Sequence, residues 1–293
     1  MCRLTIKHVT VSGSGLMGTQ IAMQAALSGY ETVCYDVSAP QLEKARGFME
    51  DWFCRRVEKG RLTESLAGEA RGRLSFSSDL ASAAGKADLV VDAVPDVLEI
   101  KRSSLRALDQ HTPAHCIYAS NSSYIVSSRF CDVVRDPSKV LNIHFFNPAL
   151  VMKIVEVVRG PHVSPESFET ALRFVESLGK TPIPIEKEIY GFCVNRMFSA
   201  LTREACYLVD AGVASPRDID TAVKGALGHA MGPLETLDMT GLDLEYHVYM
   251  ERFRTSGDAA DLPAACLTEH YARGEYGRKT GKGFYEYGKG GAE

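Results

Sequence analysis

The sequence predicts an α/β fold: a parallel, doubly wound sheet at the N-terminus, followed by an all-helical C-terminal domain. Three observations predict it. Strand and helix patterns alternate through the first half. A glycine-rich turn joins the first strand to the first helix. From Gly191 onward almost every apolar spacing is helical. Alternating strands and helices form parallel sheets, because each crossover helix covers one face.

The elements follow in order. LTIKHVTV (4–11) alternates and is rich in β-branched residues, so it reads as a strand. A glycine turn follows, then a helix from about Leu16 to Leu27. ETVCYD is a second strand, ending at Asp36. SAPQLEKARGFMEDWFCRRVEKG is a long amphipathic helix with Ser38 as its N-cap and Gly60 as its stop. LTESLAGEARGRL is a second helix, so residues of about 39–73 are expected to form a projecting helix pair. DLVVDAV (88–94), HCIYAS, VLNIHFF and KIVEVVR are strands, with the helix LEIKRSSLRALDQ between the first two. SPESFETALRFVESLG is a helix and TPIPIE a last short strand. FCVNRMFSALTREACYLVDAG is helical, and ASPRDIDTAVKGAL opens on Ser215 as cap with Pro216 at its first position. The expected domains are 1–188 and 189–293, and the GKGGAE tail is expected to fray.

The 293 residues can bury a substantial core, and 45% hydrophobic with 24% charged residues is ordinary for a soluble globular protein. The net charge of -4 gives no basic excess for nucleic acid. No apolar run reaches the ~18 residues that span a bilayer. The N-terminus enters a strand pattern directly, without the features of a signal peptide. Eight cysteines, from Cys2 to Cys266, form neither a CxxC pair nor a zinc pattern. Most sit in apolar contexts, which fits a reducing compartment, hence the cytoplasm, and no structural metal.

VTVSGSGLMGTQIA carries Gly13, Gly15 and Gly18 in G-x-G-x-x-G spacing. The pattern alone is weak, but here it follows a strand and opens a helix, as dinucleotide binding requires. The first glycine permits the tight turn, the second lets a pyrophosphate approach the backbone, and the third lets helix and strand pack closely. The cofactor-binding candidates of this loop are Gly13, Gly15, Leu16, Met17 and Gly18. Asp36 ends the second strand, where an acid can bond the ribose hydroxyls. It also repels a 2′-phosphate, and Val37 rather than an arginine follows it, so NAD is favoured over NADP. The alternative is a glycine turn beside a helix-capping aspartate.

HFFNPALVMKIVE runs from His144 to Glu156. His144 is either a core histidine with a satisfied hydrogen bond or a catalytic base. A chain reversal near Leu150 would bring residues 144 and 156 opposite each other on paired strands, on the same face. Glu156 could then accept from one ring nitrogen and fix the tautomer.

GSGLMGTQIA, VVDAVPDVLEIK, ASNSSY, HFFNPALVMKIVEVVRG, GFCVNR, GHAMGPLETLDMTGLD and RKTGKGFYEY occur in the order found in the L-3-hydroxyacyl-CoA dehydrogenase family, which includes the bacterial 3-hydroxybutyryl-CoA dehydrogenases. The chain resembles that family over nearly its whole length. The resemblance implies a Rossmann domain, a helical domain that forms a homodimer, and reversible NAD-dependent oxidation of a 3-hydroxyacyl-CoA to the 3-oxoacyl-CoA. It places the catalytic histidine on His144, its glutamate on Glu156, the active-site serine on Ser123 and the asparagine on Asn195. It places further cofactor contacts on Asp96, Lys101, Asn147 and Lys279, and a CoA-contacting lysine on Lys59. Four departures bear on acyl and CoA preference: Asp96-Val97 for Glu-Asn, Tyr190 for a proline, one extra residue between Lys180 and Gly191, and Trp52 for a serine.

Each residue also has a plainer reading. Ser123 sits in a serine-rich turn, and Asn195 near a helix start. RRVEKGR can be a solvated helix end whose cations suit the helix dipole. Lys279 can belong to a surface loop. The other histidines show no partner pattern, and His229 has no role that the residues define. The expected reaction is oxidation of a short-chain L-3-hydroxyacyl-CoA, with His144 taking or giving the hydroxyl proton. The alternatives are a dehydrogenase of a free hydroxy acid, of the gulonate or carnitine type, and a crystallin-like NAD-binding protein.

Overall fold

The computed structural model describes residues 6–288. Leu4 and Thr5, which open the expected first strand, Cys2, and nearly all of the GKGGAE tail lie outside the described residues. Two compact units divide between Cys193 and Val194, a few residues after the expected boundary.

In the first unit, β1 (His8–Ser12) leads through the glycine turn into α1 (Leu16–Leu27) and β2 (Glu31–Tyr35). Helices α2 (Ala39–Glu58) and α3 (Glu64–Arg73) follow, then β3 (Leu74–Ser77) and the short α4 (Leu80–Ala84). β4 (Leu89–Asp92), α5 (Leu98–Asp109), β5 (Ile117–Ser120), β6 (Val140–Phe145), β7 (Ile154–Val158), α6 (Pro165–Ser177) and β8 (Thr181–Ile185) complete it. The eight strands form one sheet in the order β3-β2-β1-β4-β5-β6-β7-β8. All neighbours are parallel except β6 and β7, which pair antiparallel as the reversal expected near Leu150 requires. The reason is the connection: a short reversal joins β6 to β7, whereas parallel neighbours need a long crossover.

β4 shows how the sheet is covered on both faces. Leu89 and Val91 face a core shared with Ile21, Ala25, Phe53 and Phe174 of α1, α2 and α6. Val90 faces the opposite core with Leu105 and Leu108 of α5. The Ser38 side chain caps α2 by accepting from the Gln41 N–H, and Gly60 ends that turn at φ +62°. Met49 and Phe53 of α2 and Ala67 and Ala70 of α3 join the core with α1, so the helix pair is anchored along its inner side. Its turn, Lys59–Arg61, is exposed.

The second unit is helical: α7 (Val194–Asp210), α8 (Pro216–Leu227), α9 (Pro233–Thr240), α10 (Leu242–Ser256) and α11 (Ala265–Ala272). Ser215 caps α8 through the Asp218 N–H. Leu234, Leu237, Leu242, Cys206, Tyr249 and Leu267 form its core. Buried Asp238 accepts the Phe284 and Tyr285 N–H groups and the Tyr287 hydroxyl, which ties the C-terminal segment to α9.

Candidate active site

The sheet reverses its winding between β1 and β4, and ligands of such sheets bind beyond the strand ends at that switch. The glycine loop leaves β1 there. Gly13 has φ +101°, and a Cβ on it would stand 2.7 Å from the Ala93 carbonyl oxygen just past β4. A Cβ on Gly18 would overlap the Gly13 carbonyl oxygen. Gly15 is different: nothing lies within 4 Å of its Cβ position. It is also the N-cap of α1, and no side chain caps that terminus. Open backbone at an uncapped helix start is what a pyrophosphate requires. Leu16 is exposed and Met17 half-buried in this first turn.

Asp36 is fastened beside the loop. Its Oδ2 accepts the Ser14 N–H at 2.8 Å and the Ser14 hydroxyl at 3.0 Å, and its Oδ1 accepts the Ser38 N–H at 2.9 Å. Two carboxylate oxygens offer about four acceptor positions, so one remains for a ribose hydroxyl. The residues present therefore fit a dinucleotide.

β6 and β7 carry the second half of the site. Their register pairs His144 directly with Glu156. Both side chains are buried, and His144 Nδ1 lies 2.8 Å from Glu156 Oε2. The other carboxylate oxygen, Oε1, accepts the Cys193 backbone N–H at 2.9 Å. Ser123 Oγ stands 3.2 Å from His144 Nε2. The three side chains expected to do chemistry in this unit are thus brought together in a line.

Supporting residues hold that line. The Lys180 ammonium, buried and pushed below its usual range by desolvation, donates to the carbonyls of Ala149 and Met152 at 2.7 Å each. It clamps the reversal that sets the β6–β7 register. Asn121 Oδ1 accepts the Phe145 N–H at 2.9 Å. Phe146 and Phe192 put their rings 4.6 and 5.6 Å from the imidazole. Phe192 has φ +47°, next to Gly191 at +74°. A left-handed aromatic residue is costly, and such strain collects at functional sites. Here it turns the ring toward His144 and the next N–H toward Glu156. Sequence reasoning missed Lys180, Asn121, Phe192 and Cys193. The GF pair before the asparagine was the one available signal.

The other expected contacts are scattered more widely. Asp96 accepts the Ser123 N–H at 3.2 Å, and Lys101 is buried in ion pairs with Asp92 and Asp96. Asn147 is exposed just past β6. Lys59 lines an open groove with Phe48, Asp51, Trp52, Arg55, Arg56 and Arg61. The Arg56 guanidinium lies over the Trp52 ring at 4.9 Å. Asn195 and Lys279 belong to the second unit: Asn195 in the first turn of α7, and Lys279 paired with Asp243 at 2.5 Å. Among the described residues no cluster could hold a metal ion, and no helix is long and apolar enough to cross a membrane.

Residues 8–189 match the NAD binding domain of 3-hydroxyacyl-CoA dehydrogenase, and residues 191–287 match its C-terminal domain. The chain belongs to the 3-hydroxyacyl-CoA dehydrogenase family. Among its relatives are the human mitochondrial hydroxyacyl-coenzyme A dehydrogenase, 36% identical over 97% of this chain and 92% of the relative. A probable 3-hydroxybutyryl-CoA dehydrogenase of Bacillus subtilis is 34% identical over 97% and 98%. The crystal structure of (S)-3-hydroxybutyryl-CoA dehydrogenase from Ralstonia eutropha superposes with a TM-score of 0.91 at 32% identity, over 97% of this chain and all of that one. The activity of this 3-hydroxyacyl-CoA dehydrogenase is accordingly an NAD-dependent oxidoreduction of a 3-hydroxyacyl-CoA, and the open Gly15 backbone and the tethered Asp36 are the features that suit its cofactor.

Proposed function

We propose that His144 is the general base of this dehydrogenase, that Glu156 holds its tautomer, and that the substrate is a short-chain L-3-hydroxyacyl-CoA. The 2.8 Å contact between two fully paired, buried side chains carries the reading. NAD, which the Gly13–Gly18 loop and Asp36 would hold, would supply the acceptor for the hydride that leaves C3 of the substrate. His144 Nε2 takes the proton from the hydroxyl, which its position 3.2 Å from Ser123 Oγ supports. Glu156 stabilises the imidazolium that forms, with its far oxygen anchored by the Cys193 N–H. Ser123 orients the substrate oxygen. Phe146 and Phe192 exclude water from the ring.

Gly13, Gly15, Leu16, Met17 and Gly18 cradle the pyrophosphate, and Asp36 bonds the ribose. Asp96 and Asn147, which follow β4 and β6, are further cofactor contacts together with Lys101 and Lys279. Asn195 donates to the substrate carbonyl. Lys59, within a run of cations at the α2–α3 turn, meets the CoA phosphates, as charge complementarity favours. Residues 1–188 serve as the NAD-binding domain and 189–293 as a dimerisation and substrate domain of a homodimer. The free cysteines among the described residues accord with action in the cytoplasm.

The testing experiment compares acetoacetyl-CoA with free acetoacetate while NADH absorbance is followed, and with NADPH as control. Turnover of the thioester with NADH is the expected outcome. Equal turnover of the free acid would remove the CoA assignment. His144→Ala must abolish turnover while NADH binding persists.

A further inference from the structure

The segment that leaves β8 carries two groups to the catalytic pair, and no regular structure holds it. Residues 186–193 form neither helix nor strand. Yet the Phe192 ring stands 5.6 Å from the His144 imidazole, and the Cys193 N–H donates to Glu156 at 2.9 Å. Both groups follow a tight turn in which the Phe192 N–H donates to the Ile189 carbonyl at 3.1 Å. Tyr190 and Gly191 are its central residues; Gly191 has φ +74°, while Tyr190 stays outside the left-handed region. That is the pattern of a type II turn, whose first central position suits proline because the pyrrolidine ring fixes φ. Tyr190 has no such ring. The turn also runs directly into Phe192 at φ +47°, a conformation that costs a residue with a side chain. A contact from outside the turn has to hold it.

That contact comes from the serine turn. The Tyr190 ring packs against Tyr124, with centroids 5.0 Å apart and planes at 33°, a separation at which aromatic pairs attract. Tyr124 directly follows Ser123, whose Oγ stands 3.2 Å from His144 Nε2. Tyr124 is itself fixed: the buried Ser122 hydroxyl oxygen accepts the Tyr124 and Ile125 N–H groups at 3.3 and 2.8 Å. A second tie runs beside the rings. Glu188 Oε2 accepts the Ser127 hydroxyl at 3.3 Å and the Ser128 N–H at 3.2 Å.

We propose that Tyr124 and Tyr190 are positioning residues whose ring pair braces the 189–192 turn against the serine turn. The brace holds the Phe192 ring and the Cys193 N–H on one side of the catalytic pair, and Ser123 on the other. It supplies from outside the rigidity that a proline would supply within the turn. The contact is made by ring faces, so a phenylalanine serves as well as a tyrosine. The two rings act through Phe192, Cys193 and Ser123, and not on substrate or cofactor. This inference rests on the reading of His144, Glu156 and Ser123 given above.

The test uses the full-length enzyme. Steady-state turnover of acetoacetyl-CoA gives kcat and KM, fluorescence titration gives NADH affinity, and circular dichroism gives the melting temperature. Tyr124→Ala and Tyr190→Ala should each lower kcat by about 3- to 10-fold, with KM and NADH affinity within about twofold of the parent. The double variant should lose no more than either single one, because each removes the same contact. Tyr190→Phe should keep the parental kcat. Tyr190→Pro is the decisive variant: with φ fixed inside the turn it should turn over like the parent, and adding Tyr124→Ala to it should cost little. A raised KM with kcat preserved would overturn the inference and make the rings a substrate contact. Additive losses, or a Tyr124→Ala loss that Tyr190→Pro leaves undiminished, would overturn it too. Should Tyr190→Ala melt below the assay temperature, Tyr124→Ala in the parent and in Tyr190→Pro decides by the same criteria. Silent tyrosine variants beside an inactive His144→Ala would remove the brace alone. An active His144→Ala would remove the reading of the site, and the brace would fall with it.

Discussion

His144 and Glu156 face each other across the one antiparallel pair in an otherwise parallel sheet, with Nδ1 2.8 Å from Oε2. The pair is buried, and both carboxylate oxygens are engaged. Glu156→Gln keeps the shape and the acceptor for the Cys193 N–H, yet presents an amide to the imidazole. The wrong tautomer is then favoured and the imidazolium loses its counter-charge. We predict a fall in kcat of about 10²- to 10⁴-fold with little change in NADH affinity. Steady-state kinetics beside a fluorescence titration check it. Loss of NADH binding with turnover per bound cofactor retained would contradict the role.

The glycines of the loop should separate cofactor binding from folding. Gly15→Ala adds a methyl where nothing lies within 4 Å, at φ -64°, which alanine adopts freely. The melting temperature should stay put while NADH affinity drops, because the methyl meets the incoming pyrophosphate. Gly18→Ala drives a methyl into the Gly13 carbonyl, so it should lower the melting temperature as well. Equal behaviour of the two variants would refute the distinction drawn here.

Much of this arrangement was legible because the chemistry is local in sequence. β1, the glycine turn and α1 are contiguous, and their periods differ sharply. The facing of His144 and Glu156 followed from a reversal near Leu150. β3 and α4 were missed because LSFS and LASAA are too short to show a period. Lys101 was expected only as a cofactor contact, and its pairing with Asp92 and Asp96 was not foreseen, while Lys180 drew no expectation because its partners are backbone carbonyls of a turn. Phe192 could not be foreseen to adopt a positive φ; only the packed turn makes that visible.

The α2–α3 turn gives a prediction about ionic strength. Lys59 stands with Arg55, Arg56 and Arg61 around an open groove in which Asp51 is the single acid. Phosphates approaching such a cluster are held by screened, solvent-exposed attraction. KM for an acyl-CoA should rise with added salt, and Lys59→Glu should raise it about 10-fold at low salt with kcat nearly unchanged. The KM of a short pantetheine thioester, which lacks the nucleotide, should respond to neither. A salt-independent KM for the full CoA ester would count against this surface.

Glu245 gives the pH prediction. Its carboxyl is buried in the second unit, near Thr202, Arg203 and Tyr249, and its Oε1 has no hydrogen-bond partner. Burial pushes it up from 4.5 to about 7, against the pull of Arg252. Below pH 4.5 the folded and unfolded chains both hold the proton, and the group takes nothing from stability. As pH rises from there through about 7, the unfolded chain has released its proton while the folded one still holds it, so stability falls. Above that range both are ionised and the loss is complete, on the order of 3 kcal/mol. Glu245→Gln removes the titration while keeping the shape. It should raise the melting temperature by several degrees near about pH 8.5 and leave it close to unchanged near about pH 4. Thermal melts of parent and variant across that range check it, and parallel curves would show that Glu245 does not hold its proton in the folded enzyme.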